Sequence, residues 1–402
     1  MFKNLQDLEY SKKYSVMTIL GSIPGGIFGP MYGIYLKEMG LSLFTMNFVN
    51  FIYMVVLTIT DPPTGRLGDR KGHVRVYLSG IFIWIFSSLL YGIGSSFGVF
   101  IAAETVGAIG SSLRSNALLS RLANNVDEDD YNRIKANASL WSGRLGVLVT
   151  AGSPFLVKQI GSLNSAWYLA AGSFLIIFLV GVFIFRNECN EEREFEIENG
   201  KESKDETSLK EAYIYVWNNR KLRFIILMNF TIYFSFQAIN MYWPLRFTEL
   251  GGGVEWLGVM FAIARLAIAQ GKGMSKRYQP AKIGVNTHLV QICYIILSLL
   301  IASLTNSVLL YSIFLIIHEF PRGTLEEITN TYQNYGNTIS KKDRAMLNSV
   351  LSATKTLGAA MGLLIIGAVA FYSDIQTSWI LSCFCMGLFV IGNFKFRNIF
   401  NR

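Results

Sequence analysis

One recurrence constrains this chain more than any other feature. Apolar runs of about twenty residues return along its 402 residues, near 14–36, 41–60, 77–97, 98–121, 137–158, 165–185, 222–246, 253–272, 284–304, 307–335, 343–371 and 375–394. A helix of about 20 residues crosses the ~30 Å hydrocarbon core of a bilayer. Hydrocarbon offers backbone amides no partner, so such runs must close their hydrogen bonds internally, as helices. They do not alternate with a period of two, the mark of a spanning strand. Only 16% of residues are charged and 51% are hydrophobic, whereas a soluble domain is about one-quarter charged. The chain therefore reads as an all-α integral membrane protein of twelve transmembrane helices, with the lipid bilayer as its first partner. The opening run is too long, and its exit too poor in small residues, for a cleaved signal peptide.

Charge placement orients the runs. With the N-terminus inside, the tails and inner loops hold 28 of the 36 Lys and Arg, and the outer loops hold only Lys37, Lys158 and Arg246. This asymmetry follows the positive-inside rule and predicts a multi-pass protein of the cell membrane with both termini cytoplasmic. The net charge of +9 is thereby accounted for without nucleic acid, since no segment interleaves a basic face with aromatics. One long connection, residues 186–221, is polar and rich in both charges, and reads as a solvated cytoplasmic linker. It divides the chain into two six-helix bundles, 1–185 and 222–402. Cys189 lies in the linker, and Cys293, Cys383 and Cys385 fall in apolar runs. Neither they nor His73, His288 and His318 show disulfide or metal-ligand spacing. No cofactor or metal is expected.

The most polar interruption is "DPPTGRLGDRKGHVRVY", residues 61–77, between the second and third runs. Pro62 and Pro63 are expected to end the second helix, because proline lacks an amide donor and disfavours helix at the residue before it. Gly65, Gly68 and Gly72 would let two helix ends approach in a tight turn. Asp61, Pro63, Gly65, Asp69, Arg70 and Gly72 fall on the pattern acidic-x-Pro-x-Gly-x-x-x-Asp-Arg-x-Gly. The stretch resembles the signature of the major facilitator superfamily of secondary transporters, and the architectural resemblance covers essentially the whole chain. It implies two six-helix halves that rock to alternate access to a mid-membrane substrate site between them. Spans one, four, seven and ten would line that cavity, and spans three, six, nine and twelve would face lipid. It also implies that Asp69 faces the N-terminus of span eleven, whose amides favour an anion. The motif would then act as a conformational latch, with Arg70 pairing to nearby carboxylates or carbonyls.

The chain departs from the family pattern in several places. His73 replaces a basic residue, and Arg277 stands where the equivalent loop between spans eight and nine would carry an aspartate. Glu104 occupies the span-four position where exporters and many relatives have an arginine. "GVLVTAGSP" in span five matches an export-associated motif only in part.

Charge inside lipid costs several kcal/mol unless paired or hydrated, so each intramembrane charge marks a functional candidate. These are Glu104 and Arg114 in span four, Arg144 in span five, Arg265 in span eight, Glu319, Arg322, Glu326 and Glu327 in span ten, and Lys355 in span eleven. Spans three, six, nine and twelve carry none. Glu104 and Glu319 are the proton-coupling candidates, since each interrupts an apolar stretch of an expected cavity-lining span. Glu326 and Glu327, near the cytoplasmic end, are expected to pair and fix helix orientation. Tyr32, Arg114, Arg144, Gln237, Asn240, Trp243, Arg265, Arg322 and Lys355 are the substrate-cavity candidates. Five bases face four acids in the spans, with Glu319 a partner for either Arg265 or Lys355, which predicts better tolerance of anions than of permanent cations.

No Gly-x-x-x-x-Gly-Lys-Ser/Thr loop is present, which argues against ATP drive. The expected function is secondary active transport of a small molecule with protons as the coupling ion, by a functional monomer. Export of an amphipathic or drug-like compound leads. The alternative is uptake or exchange of an anionic or zwitterionic metabolite. A receptor or enzyme on the same scaffold is a third reading, but no nucleophile–base constellation supports it.

Overall fold

The computed structural model describes residues 5–115, 117–190, 217, 219–275, 277–278, 283–335 and 341–395, and every longer regular element among them is a helix. In order these are α1 (Leu5–Leu20), α2 (Ile23–Phe28), α3 (Tyr32–Glu38), α4 (Leu43–Lys71), α5 (His73–Ile93), α6 (Phe97–Ser115), α7 (Ala117–Asn125), α8 (Glu128–Ile160) and α9 (Asn164–Ile184). There follow α10 (Arg220–Glu249), α11 (Leu257–Ser275), α12 (Val285–Leu304), α13 (Val308–Tyr335), α14 (Lys341–Tyr372) and α15 (Ile375–Lys395). Most of the expected linker, 191–216 and 218, lies outside the described residues. Its start is tied down, with Lys13 Nζ 2.8 Å from Glu188 Oε1 and 2.7 Å from Glu9 Oε1.

Eleven segments among the described residues are long and apolar enough to cross a membrane. The expected fourth span divides into α6 and the short α7. Glu104 and Arg114 make α6 less apolar than its neighbours, yet it runs antiparallel along α5. Gly80 abuts the Gly110 carbonyl, Ser87 Oγ donates to Ala103 O at 2.8 Å, and Gly94 abuts the Phe100 ring. A helix matched along its length to a spanning neighbour shares that neighbour's depth.

The first span is one apolar run but not one helix. Glycines and two prolines split it into α1, α2, a 3-10 turn at Gly29–Met31, and α3, with Pro24 and Pro30 each at the start of a new piece. Proline is suited to that position, where no amide is needed.

The second span corrects an expectation. Pro62 and Pro63 do not end it, and α4 continues to Lys71. Proline's φ near −65° is itself helical. Hydroxyls supplement the helix ladder around them. Thr58, Thr60 and Thr64 each donate to a carbonyl one turn back, at 2.7, 2.8 and 3.0 Å. The chain turns instead at Gly72, whose φ of +92° suits glycine alone.

The helices form two compact units, Met1–Gly40, Ile52–Ser203 and Val254–Val259 in one, and Leu41–Phe51, Lys204–Gly253 and Met260–Arg402 in the other. The first is built around α5, which packs on α6 and α9. Its core is aromatic: Phe28 stacks on Trp167 at 4.4 Å, and Trp84 on Phe174 at 5.4 Å. In the second, α10 packs on α14 and α15, and α12 on α13. Small residues allow the close crossings. A β-carbon on Gly358 or Gly362 would lie 2.6 or 2.4 Å from the carbonyls of Phe230 and Phe234.

Bulky side chains that remain exposed fall on helical stripes. Ile176, Leu179 and Phe183 lie on α9, Val290, Tyr294 and Leu297 on α12, and Phe384, Leu388 and Ile391 on α15. Stripes at three- and four-residue spacing mark a single face, and on spans free of internal charge that face suits hydrocarbon.

Candidate functional site

Among the described residues, each unit holds a charged cluster between its helices. In the first, the carboxyl of Glu104 on α6 is 7% exposed. It accepts hydrogen bonds from Tyr32 on α3 at 2.6 Å and from Tyr91 on α5 at 2.5 Å. The two phenols lie 3.2 Å apart, and Tyr35 donates to the Tyr91 carbonyl. Trp167 from α9 stacks on Tyr91, centroids 4.0 Å apart and planes 10° apart, and Phe100 closes the far side at 5.6 Å. The broken first span contributes to this, since α3 begins at Tyr32, which bonds the carboxyl, and carries Tyr35, which bonds the backbone of Tyr91. No cation among the described residues lies within ion-pair distance of Glu104. A buried carboxyl held by neutral donors and no fixed positive charge can take up and release a proton without breaking an ion pair.

In the second unit, Arg322 on α13 donates through Nη1 to Asn240 Oδ1 on α10 at 2.9 Å and to both oxygens of Glu319 at 3.3 Å. Its guanidinium lies over the Phe236 ring at 4.3 Å. Glu319 therefore pairs with Arg322 and not with Arg265 or Lys355. Three residues apart on one helix, the two side chains meet without help from another element. Glu326, one turn on, reaches across to Lys272 on α11 at 3.1 Å. The helices can come so close because Gly271 and Gly323 each face the other helix's backbone, and Thr324 Oγ1 donates to Gly271 O at 2.9 Å.

The remaining candidates are dispersed. Arg144 is exposed and lies over Trp141 at 4.7 Å, Arg265 is exposed over Phe261 at 4.9 Å, and Arg114 faces Phe174 at 5.8 Å. Gln237 turns its amide back to Tyr233 O at 3.1 Å, and Trp243 is buried with its carbonyl accepting from Tyr311 at 2.9 Å. Lys355 stands 5.5 Å from the Tyr233 ring centroid. Of the latch residues, Asp61, Pro63 and Arg70 are exposed, and Thr64 meets Ser112 of α6 at 2.7 Å. Gly65 lies within α4, and the side chain of Asp69 falls outside what is described. Among the described residues no group of His, Cys, Asp or Glu is placed to hold a metal.

Tyr35, Tyr91 and Trp167 around Glu104, and Phe236 beneath Arg322, escaped the sequence reading. Each is one aromatic among many, and only contacts between helices distant in sequence single it out.

Two units of membrane-length helices, with a buried polar cluster in each and apolar stripes exposed on the uncharged spans, define a polytopic helical membrane protein. Residues 14–325 match the model of the Major Facilitator Superfamily, and the chain belongs to that family. Its fold is similar to that of the nucleoside transporter NupG, with a TM-score of 0.74, 13% identity, and 98% of this chain and 99% of that one covered. It is also similar to a bacterial homolog of the human lysosomal transporter Spinster, with a TM-score of 0.71, 12% identity, and 96% and 95% covered. Among sequence relatives, Multidrug resistance protein 2 of Bacillus subtilis (strain 168) is 24% identical over 188 residues, 46% of each chain. The uncharacterized MFS-type transporter YxaM of the same organism is 22% identical over 259 residues, 62% of this chain and 61% of that one. The chain thus matches about half to three-fifths of the length of these relatives.

Proposed function

We propose that this protein is a proton-coupled secondary transporter of the plasma membrane, acting as a monomer and exporting a small amphipathic organic compound by alternating access. It is a carrier and not an enzyme. One observation carries the coupling: Glu104 is buried, held by two phenols and unopposed by a cation among the described residues. Proton uptake there changes the hydrogen bonds that join α3, α5 and α6, which links protonation to helix arrangement. Glu319 serves differently, because its charge is matched by Arg322. It positions that guanidinium. The name of the Bacillus subtilis multidrug resistance relative supports export. The motif at Asp61, Pro63, Gly65, Asp69, Arg70 and Gly72 is assigned a conformational role.

The test is uptake into proteoliposomes from a panel of labelled amphipathic compounds, with and without an imposed pH gradient. The parent should concentrate at least one compound in response to the gradient. Glu104→Gln should lose concentration while retaining exchange of the same compound across the membrane. A Glu104→Gln protein that concentrates substrate as the parent does would place the coupling elsewhere.

A further inference from the structure

A pocket of about 100 Å³ opens among α10, α13 and α14 in the second unit, and its charges are not satisfied by the protein itself. Arg322 commits Nη1 to Asn240 and Glu319, while Nη2 and Nε have no described partner. Lys355 has no carboxylate within ion-pair distance among the described residues; its ammonium lies by the Tyr233 ring, with Glu326 farther off on the same wall. Glu326, also on the pocket wall, is engaged by Lys272. Lys272, Arg322 and Lys355 thus face Glu319 and Glu326, leaving a surplus of one positive charge. Asn229 on the same wall is 4% exposed, and its amide Nδ2 has no hydrogen-bond partner in the structure. The rest of the wall is Met228, Ile232, Tyr233, Phe236 and Leu325, with the hydroxyl of Thr329.

We infer that this pocket binds the carboxylate of a small amphipathic monoanion, which is the substrate of the transport proposed above; the inference rests on that reading. Lys355 supplies the matching charge, Arg322 and Asn229 supply directed donors, and Phe236 and Tyr233 flank the apolar body. A neutral ligand leaves Lys355 with no carboxylate in contact and only the more distant Glu326, already bonded to Lys272, to balance it in a partly apolar wall, which is costly. A cation meets Arg322 and Lys355 with every nearby carboxylate already paired. A dianion exceeds the surplus by one. The monoanion closes the account, and the unpartnered Asn229 amide gives it a third donor. Glu319 holds Nη1 and so fixes the plane of the guanidinium, which gives its other nitrogens one orientation.

The experiment uses the full chain in lipid nanodiscs and radiolabelled benzoate, phenylacetate and naphthoate, each with its neutral amide as competitor. Saturable binding of at least one acid, without competition by its amide, is expected. Lys355→Gln should weaken that binding about tenfold or more, the loss expected for a charge-assisted hydrogen bond, whereas Lys355→Arg should retain it. Asn229→Ala keeps every charge and should weaken binding several-fold, which covers the case of a Lys355→Gln protein that fails to fold. No saturable binding of any of the three acids, equal binding of acids and amides, or parental affinity in Lys355→Gln or Asn229→Ala overturns the inference. Acid binding through Lys355 combined with transport indifferent to the pH gradient would defeat only the coupling proposal. Gradient-driven concentration of a cationic compound without acid binding would defeat only this one.

Discussion

At Glu104 the chemistry depends on three separate helices. The carboxyl sits where Tyr32 and Tyr91 donate to it, and Trp167 fixes Tyr91 by stacking. These roles separate by substitution. Tyr91→Phe keeps the ring and the stack but removes one donor, so stability should fall by only about 1 kcal/mol while gradient-driven transport drops. Trp167→Ala removes a side chain that is 1% exposed and packed between Tyr91 and Phe28. Its loss should cost about 3–5 kcal/mol, read as a large fall in melting temperature in detergent. Equal melting of the two variants would show that Trp167 does not hold the cluster. Glu104 was visible in the sequence as an acid out of place in an apolar run. Its partners were not, because a tyrosine in span three gives no local sign of the carboxyl it will meet.

Helices in this protein follow hydropathy more faithfully than they follow local breakers. Pro154, Pro244 and Pro321 sit inside the spanning parts of α8, α10 and α13. Their usual disruptive effect is set in water, where a freed carbonyl finds solvent. In hydrocarbon the backbone has no such alternative. Glycine acts more strongly here, as a contact surface. Gly358 and Gly362 lie four residues apart on α14, the small-x-x-x-small spacing that lets helices approach, and both press on α10 backbone. Gly358→Ala or Gly362→Ala should destabilise by about 1–3 kcal/mol through overpacking. Gly387→Ala on α15, where a β-carbon would meet nothing within 4 Å, should leave melting unchanged. Equal melting of all three would rule out close packing at this crossing. Beyond the span ends, Asp374 accepts the Thr377 amide at 2.6 Å to start α15, and that bond holds its carboxyl below the usual range.

For the molecule as a whole, the distribution of lysine and arginine predicts sidedness. Lys71 and Ser162 are both exposed, at the turn after α4 and the turn after α8. In a background lacking the four native cysteines, Lys71→Cys should react with an impermeant thiol reagent only after permeabilisation. Ser162→Cys should react in intact cells. Reaction of Lys71→Cys from outside would invert the assigned orientation, with both termini then external.

Hydropathy alone marked eleven spans, from Glu9–Glu38 to Ile375–Asn393, because the transfer of a strongly apolar run into lipid depends mainly on its own composition; α6, diluted by Glu104 and Arg114, needed its packing along α5. The glycine- and aspartate-bearing motif at 65–73 was equally local, and the family it resembled is the family to which the chain belongs. Charge partners were a different matter. Glu319 pairs with Arg322, Glu326 with Lys272, and Lys355 with no described carboxylate, although sequence counting had offered Glu319 to Arg265 or Lys355. Such pairings depend on helix rotation and crossing distance, which are set by glycine contacts such as Gly271 and Gly323 between segments some fifty residues apart. An ion pair is decided over a few ångströms, and only the tertiary packing of the helices specifies distance on that scale.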